Sequence, residues 1–144
     1  MRKLPEHGLC FVCGSDNPAS IGVVWYAHED GTITGEVTLS DSQQGPPGMA
    51  HGGASAAILD EAMGASAWLA GHRVAAIGLN VEYRRPVPLG MALAITARVV
   101  GAEDRIVRTE SEIRLPDGVI AVVAQGVFKR AEHLFEGVEF AGGE

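Results

Sequence analysis

The residues best suited to chemistry are two adjacent acids, Asp60 and Glu61, set in the otherwise small and apolar run GGASAAILDEAMGASAWLAG over 52–71. A buried carboxylate is costly unless paired or hydrogen-bonded. An acid in such a run therefore lies on an exposed stripe or is poised in a cleft for proton transfer or attack. Neighbouring side chains on a helix point about 100° apart, so one acid can face a cleft while the other faces solvent or pairs. Directly ahead stands His51-Gly52-Gly53. Glycines at a helix start let a ligand approach unsatisfied backbone N–H groups at the positive end of the dipole. Such groups can stabilise a carbonyl oxygen that gains negative charge; the plainer reading is a tight turn with His51 on the surface. Gly52 and Asp60 are eight residues apart, about 12 Å along a helix axis. They cannot act on one carbonyl from the same helix. If both serve one reaction, the acid comes from a neighbouring antiparallel helix, which implies a two-fold dimer with two equivalent sites.

Other nucleophile systems are weaker. There is no G-x-S-x-G elbow, and Ser55 and Ser66 have no evident His–Asp relay. Cys10-Phe-Val-Cys13-Gly14 is half a zinc knuckle without a second pair in the chain. His7 could add a third ligand and a dimer the rest, but two cysteines are equally at home as small hydrophobes. The reading is a structural or incidental role, with no metal and no cofactor expected. Arg84-Arg85-Pro86 offers two guanidinium groups suited to a phosphate, or to solvent and acids.

The elements that must position these groups follow from pattern. The run 52–71 has the length of a membrane span, but two central acids, each costing about 3 kcal/mol on insertion, argue for a buried soluble helix. Pro46-Pro47-Gly48 stops whatever precedes it and Gly71 caps its end. Strands are expected at 21–27 and 32–39, joined by a turn ending in Asp30-Gly31. Four more are expected at 75–83, 92–102, 106–115 and 119–129, joined as antiparallel neighbours. One helix facing one antiparallel sheet is an α+β arrangement. The 144 residues make one domain, 47% hydrophobic and rich in glycine, with a formal net charge of −7. An acidic chain without a basic run argues against nucleic acid and against a polybasic membrane anchor. Met1 to His7 lacks the apolar core of a signal peptide, so a reducing, cytoplasmic setting is expected.

In order and spacing these segments resemble the hotdog-fold thioesterases of the PaaI-like group. Pro47-Gly-Met-Ala-His51-Gly52-Gly53, followed by Asp60-Glu61-Ala62-Met63-Gly64, is similar to the family's helix approach and catalytic helix. Leu79-Asn-Val-Glu-Tyr83-Arg84-Arg85-Pro86-Val-Pro88 is similar to its next strand, and Cys10 to Gly14 with Asn17-Pro18 and Gly22 to an N-terminal extension. The resemblance implies an antiparallel sheet wrapped around a central helix, with an extension over 1–20, the hotdog domain over 21–130 and a tail, short helix or irregular, over 131–144. It also implies hydrolysis of an acyl-CoA thioester by a homodimer or dimer of dimers. Gly52 would supply the oxyanion N–H, Asp60 of the partner chain would be general base or nucleophile, and His51 would orient the site. Gly53, Gln44, Arg84 and Arg85 would contact substrate. Some members carry Asn where this chain has Gly45, and Thr or Ser in the region of 76–78, where it has no hydroxyl. Gln43 and Gln44 could substitute in positioning water. These departures motivate the alternative, a non-catalytic acyl-CoA or small-ligand binding protein on the same fold.

Overall fold

The computed structural model describes residues 1–5 and 7–136. Seven strands form one antiparallel sheet: β1 (Arg2–Lys3), β2 (Val24–Ala27), β3 (Ile33–Thr38), β4 (Val74–Tyr83), β5 (Ala92–Glu103), β6 (Ile106–Arg114) and β7 (Ile120–Arg130). The one long helix among the described residues, α1 (Gly52–Leu69), lies between β3 and β4 in the chain. The strand order is β1-β2-β3-β5-β6-β7-β4.

The helix starts where the prolines stop. His51 is extended at its N-cap, and its Nδ1 accepts the Gly53 N–H at 2.8 Å. That satisfies one of the orphan donors of the first turn. At the other end Ala70 caps the helix and Gly71, at φ +94°, turns the chain back. Ile58, Leu59, Ala62, Met63 and Ala67 are fully buried against the sheet; each of the three larger ones contributes about 1.5–3 kcal/mol by leaving water. They meet the inward residues of β5 and β6, including Leu93, Ile95, Val107 and Ile113. The opposite helical face, Ala57, Asp60, Glu61, Gly64, Ala65 and Trp68, is only partly covered.

Two expectations need correction. The strand 75–83 does not neighbour the strand that follows it. β4 pairs with β7, while β5 pairs with β3 and β6. Residues 84–91 carry the chain across the sheet, with Val87 accepting from Ala50 N–H and Leu89 donating to Gly48. The strand expected over 21–27 begins only at Val24, because the backbone before it is taken by the N-terminal loop: Ile21 N–H bonds Phe11, and Gly22 and Val23 N–H bond Val12.

That loop belongs to the same core. Val12 and Cys13 are buried with the sheet residues, and Arg2–Lys3 adds an outer strand to β2. Trp25 lies directly opposite Gly35 in the β2–β3 register. A Cβ at position 35 would sit 2.4 Å from the Trp25 ring, so glycine there is what lets the indole lie across β3. The outer face of the sheet carries charge, including the cross-strand pair Arg98–Glu110 at 2.5 Å. The tail expected over 131–144 begins with a short turn at Glu132–Leu134; 137–144 lie outside the described residues. No helix among the described residues is long and apolar enough to cross a membrane.

Candidate active site

Asp60 and Glu61 both line a cavity of about 340 Å³ beside α1, whose apolar wall includes Leu4, Trp68, Leu69 and Phe128. The two acids are in different situations. Glu61 accepts from the Trp25 indole N–H at 2.6 Å through Oε2 and from the Cys10 thiol at 2.8 Å through Oε1. The Asp60 carboxylate has no hydrogen-bond donor among the described residues. Burial, and then the negative charge of Glu61, raise its pKa above the ordinary carboxylate range. A carboxylate destabilised by its surroundings is a better proton acceptor or nucleophile than one held by donors.

The backbone at the helix start is equally specific. The Gly53 N–H is committed to His51, whereas the Gly52 N–H has no acceptor among the described residues. The Tyr83 hydroxyl donates to the Gly52 carbonyl at 2.7 Å, tying β4 to the first turn of α1. His51, accepting through Nδ1, carries its ring proton on Nε2 at an exposed position. The loop ahead is held by a capping box between Ser40 and Gln43. The His51 N–H also donates to the Gln43 carbonyl.

The side chains considered for positioning water or substrate are mostly engaged locally. Gln43 Oε1 accepts from Ser40 N–H and Gln44 Oε1 from Gly48 N–H. Position 45 has no room for a side chain, since a Cβ would lie 2.8 Å from the His51 Cα. Arg84 pairs with Glu82 at the exposed end of β4, and Arg85 is exposed beside it. Within one chain the structure brings Asp60 to the cavity and keeps Gly52 two turns away along the same helix.

The role of Tyr83 and the partners of Glu61 escaped the sequence reading. Tyr83 was legible only as a strand aromatic, because its partner lies 31 residues earlier. Glu61 was legible as one of two acids, but its partners Trp25 and Cys10 are 36 and 51 residues distant. His7 and Cys13, by contrast, adjoin Cys10 in sequence, and the structure gathers all three around Glu61. Burial, and next the charge of Glu61, push the Cys13 thiol well above the ordinary range.

Comparison with known proteins bears on this arrangement. The acyl-coenzyme A thioesterase THEM4 of Xenopus laevis is 39% identical over 74 residues, which are 51% of this chain and 33% of that protein. The chain thus spans about a third of the length of that relative. The crystal structure of a thioesterase superfamily protein superposes with a TM-score of 0.80 at 35% identity, covering 83% of this chain and 62% of that one. The PaaI protein of the E. coli phenylacetic acid degradation operon has the same fold, with a TM-score of 0.73 at 19% identity over 81% of this chain and 86% of its own. The sheet around one helix is therefore the hotdog fold. The family model of the thioesterase superfamily matches residues 47–122, from the approach to α1 through the helix and into β7, just over half of the sequence, and the chain belongs to that superfamily.

Proposed function

We propose that the protein hydrolyses an acyl-CoA thioester in a site shared by two copies of the chain. The observation that carries this reading is the separation on α1 of two complementary groups. One is the open Gly52 N–H at the helix start; the other is the undonated Asp60 carboxylate about 12 Å further on. A second helix packed antiparallel on the partly covered face would bring the partner's Asp60 to the Gly52 of this chain. Gly64 and Ala65 on that face allow close approach. β4 supplies a second surface for the same dimer. It is the last strand of the sheet and exposes Ile77, Leu79 and Tyr83, so pairing two β4 edges would cover them.

In that site a water attacks the thioester carbonyl carbon while Asp60 takes its proton. The carbonyl oxygen gains charge and is met by the Gly52 N–H. Collapse breaks the carbon–sulfur bond, and the leaving CoA sulfur takes the proton back from Asp60. If Asp60 is instead the nucleophile, its oxygen attacks the carbonyl carbon and the carbon–sulfur bond breaks, leaving an anhydride and the CoA thiolate; water then cleaves the anhydride, freeing the acid and the Asp60 carboxylate, and the proton it releases goes to the thiolate. The apolar cavity beside Asp60 suits an acyl group. In this reading His51 at the helix start orients the reacting end, and the exposed Arg85, with Arg84 exchanging its pairing to Glu82, meets the CoA phosphates. The name of the THEM4 relative supports the substrate class.

The competing reading is a binding protein for acyl-CoA without turnover. It is favoured by the crowding at Gly45 and the engaged Gln43 and Gln44 oxygens, which leave water without an evident positioning group. A panel of short, long and aromatic acyl-CoAs, read by free thiol, separates the two. Turnover by the wild type that falls ~10²-fold or more in Asp60→Asn supports hydrolysis. No turnover above background with tight binding supports the alternative. A folded Asp60→Asn protein working at the wild-type rate removes Asp60 from the mechanism.

A further inference from the structure

We propose that His7, Cys10, Cys13 and Glu61 form a zinc site that fastens the N-terminal loop to α1. Their four ligand atoms all lie within 4.8 Å of one another. Two sulfurs, an imidazole nitrogen and a carboxylate oxygen are each established zinc donors, and a tetrahedral ion with ordinary bond lengths holds such atoms about 3.3–3.8 Å apart. Cys13 Sγ and His7 Nδ1 already stand at 3.7 Å, and Cys10 Sγ and Glu61 Oε1 at 2.8 Å. Small side-chain adjustments would complete the tetrahedron.

The surroundings are built as a ligand loop. Cys10 N–H bonds the His7 carbonyl, Gly14 N–H the Cys10 carbonyl and Asp16 N–H the Gly8 carbonyl. These wind His7, Cys10 and Cys13 around a common centre. The Val12 N–H points at Cys10 Sγ at 3.4 Å and fixes where the sulfur lies. Glycine follows Cys13 because a Cβ at position 14 would lie 2.2 Å from the Gly8 carbonyl oxygen.

Glu61 is prepared in the same manner. Trp25 holds Oε2, leaving Oε1 turned toward the thiols, as outer hydrogen bonds orient ligating carboxylates. No lysine or arginine among the described residues forms an ion pair with Glu61. A carboxylate gathered with two thiols and an imidazole around a partly buried point is a donor set that suits a divalent ion. Four protein ligands close the coordination sphere, so the site is structural and leaves no open position for a substrate or an activated water. Its effect is to cross-link residues 7–13 to position 61, next to Asp60.

The test uses the full chain, reduced and stripped with a chelator without oxygen, then titrated with Co²⁺. The proposal predicts thiolate-to-cobalt charge-transfer bands and the visible bands of tetrahedral cobalt, saturating at one ion per chain and bleached by Zn²⁺. Trp25→Phe should keep these bands while weakening binding by about 10–100-fold. Glu61→Gln should weaken it at least as much and lose the rise in melting temperature that Zn²⁺ gives the wild type. A wild-type titration without charge-transfer bands, or with only the spectrum of octahedral aqueous cobalt, overturns the proposal whatever the variants do. So does equal affinity in the Cys10→Ser and Cys13→Ser proteins.

Discussion

The indole N–H of Trp25 donates to Glu61 Oε2 at 2.6 Å, and this bond divides the roles of the two acids on α1. With Glu61 anchored to β2 and to Cys10, the helix is fixed in rotation about its axis. Asp60, one residue back, is left at the cavity without a donor among the described residues. The bond depends on the indole lying across β3, which in turn depends on the absence of a side chain at position 35.

Gly35→Ala is therefore predicted to destabilise the fold. The added methyl would overlap the Trp25 ring, and relieving that overlap by shifting ring or strand costs about 1–3 kcal/mol. Chemical denaturation followed by tryptophan fluorescence measures the change. An unchanged denaturation midpoint would show that the ring moves freely and does not hold Glu61.

Tyr83→Phe tests the tie between β4 and the helix start. Removing the hydroxyl deletes its bond to the Gly52 carbonyl at 2.7 Å. At an exposed site the stability loss should be at or below about 0.5–1.5 kcal/mol. The larger consequence should be a several-fold fall in kcat with a smaller change in KM, because Gly52 loses its orientation. Equal falls in stability and activity, or none in kcat, would confine Tyr83 to packing.

The edge of β4 makes a prediction about assembly. Ile77 and Leu79 are 59% and 42% exposed, and placing lysine at both should block edge-to-edge pairing through like charge and lost apolar contact. Sedimentation should show the double variant as monomer, and its thioesterase turnover should disappear with the dimer. A double variant that stays dimeric would move the interface elsewhere.

Much of this was legible in the sequence because it rests on local pattern. The helix is read from an apolar run bounded by Pro46-Pro47-Gly48 and Gly71, and β5, β6 and β7 from branched residues between short turns such as Pro116-Asp117-Gly118. The spacing of Gly52 and Asp60 likewise needs only the rise of a helix. What was not legible depends on distant partners. Nothing near 75–83 says that β4 closes the sheet against β7, since that pairing is fixed by where 84–91 cross. Nothing near Glu61 announces Trp25 or Cys10. Cys10, Cys13 and His7 offered three candidate ligands with a dimer expected to supply the rest, whereas the carboxylate gathered with them belongs to a helix about 50 residues later in the same chain.

The central claim is that Gly52 and Asp60 act together only from different chains, and mixed dimers test it most directly. Gly52→Pro removes the N–H at the first helical position, where proline is tolerated, and His51 already has the extended backbone that a following proline requires. The new ring would press on Tyr83, an exposed side chain 3.2 Å from the added Cβ. Gly52→Pro and Asp60→Asn should each be nearly inactive alone. Unfolded and refolded together, each mixed dimer should contain one intact site and recover about half the wild-type turnover. If the mixture stays as inactive as its parents although mixed dimers form, the two groups do not complete each other across the interface, and the shared site is wrong.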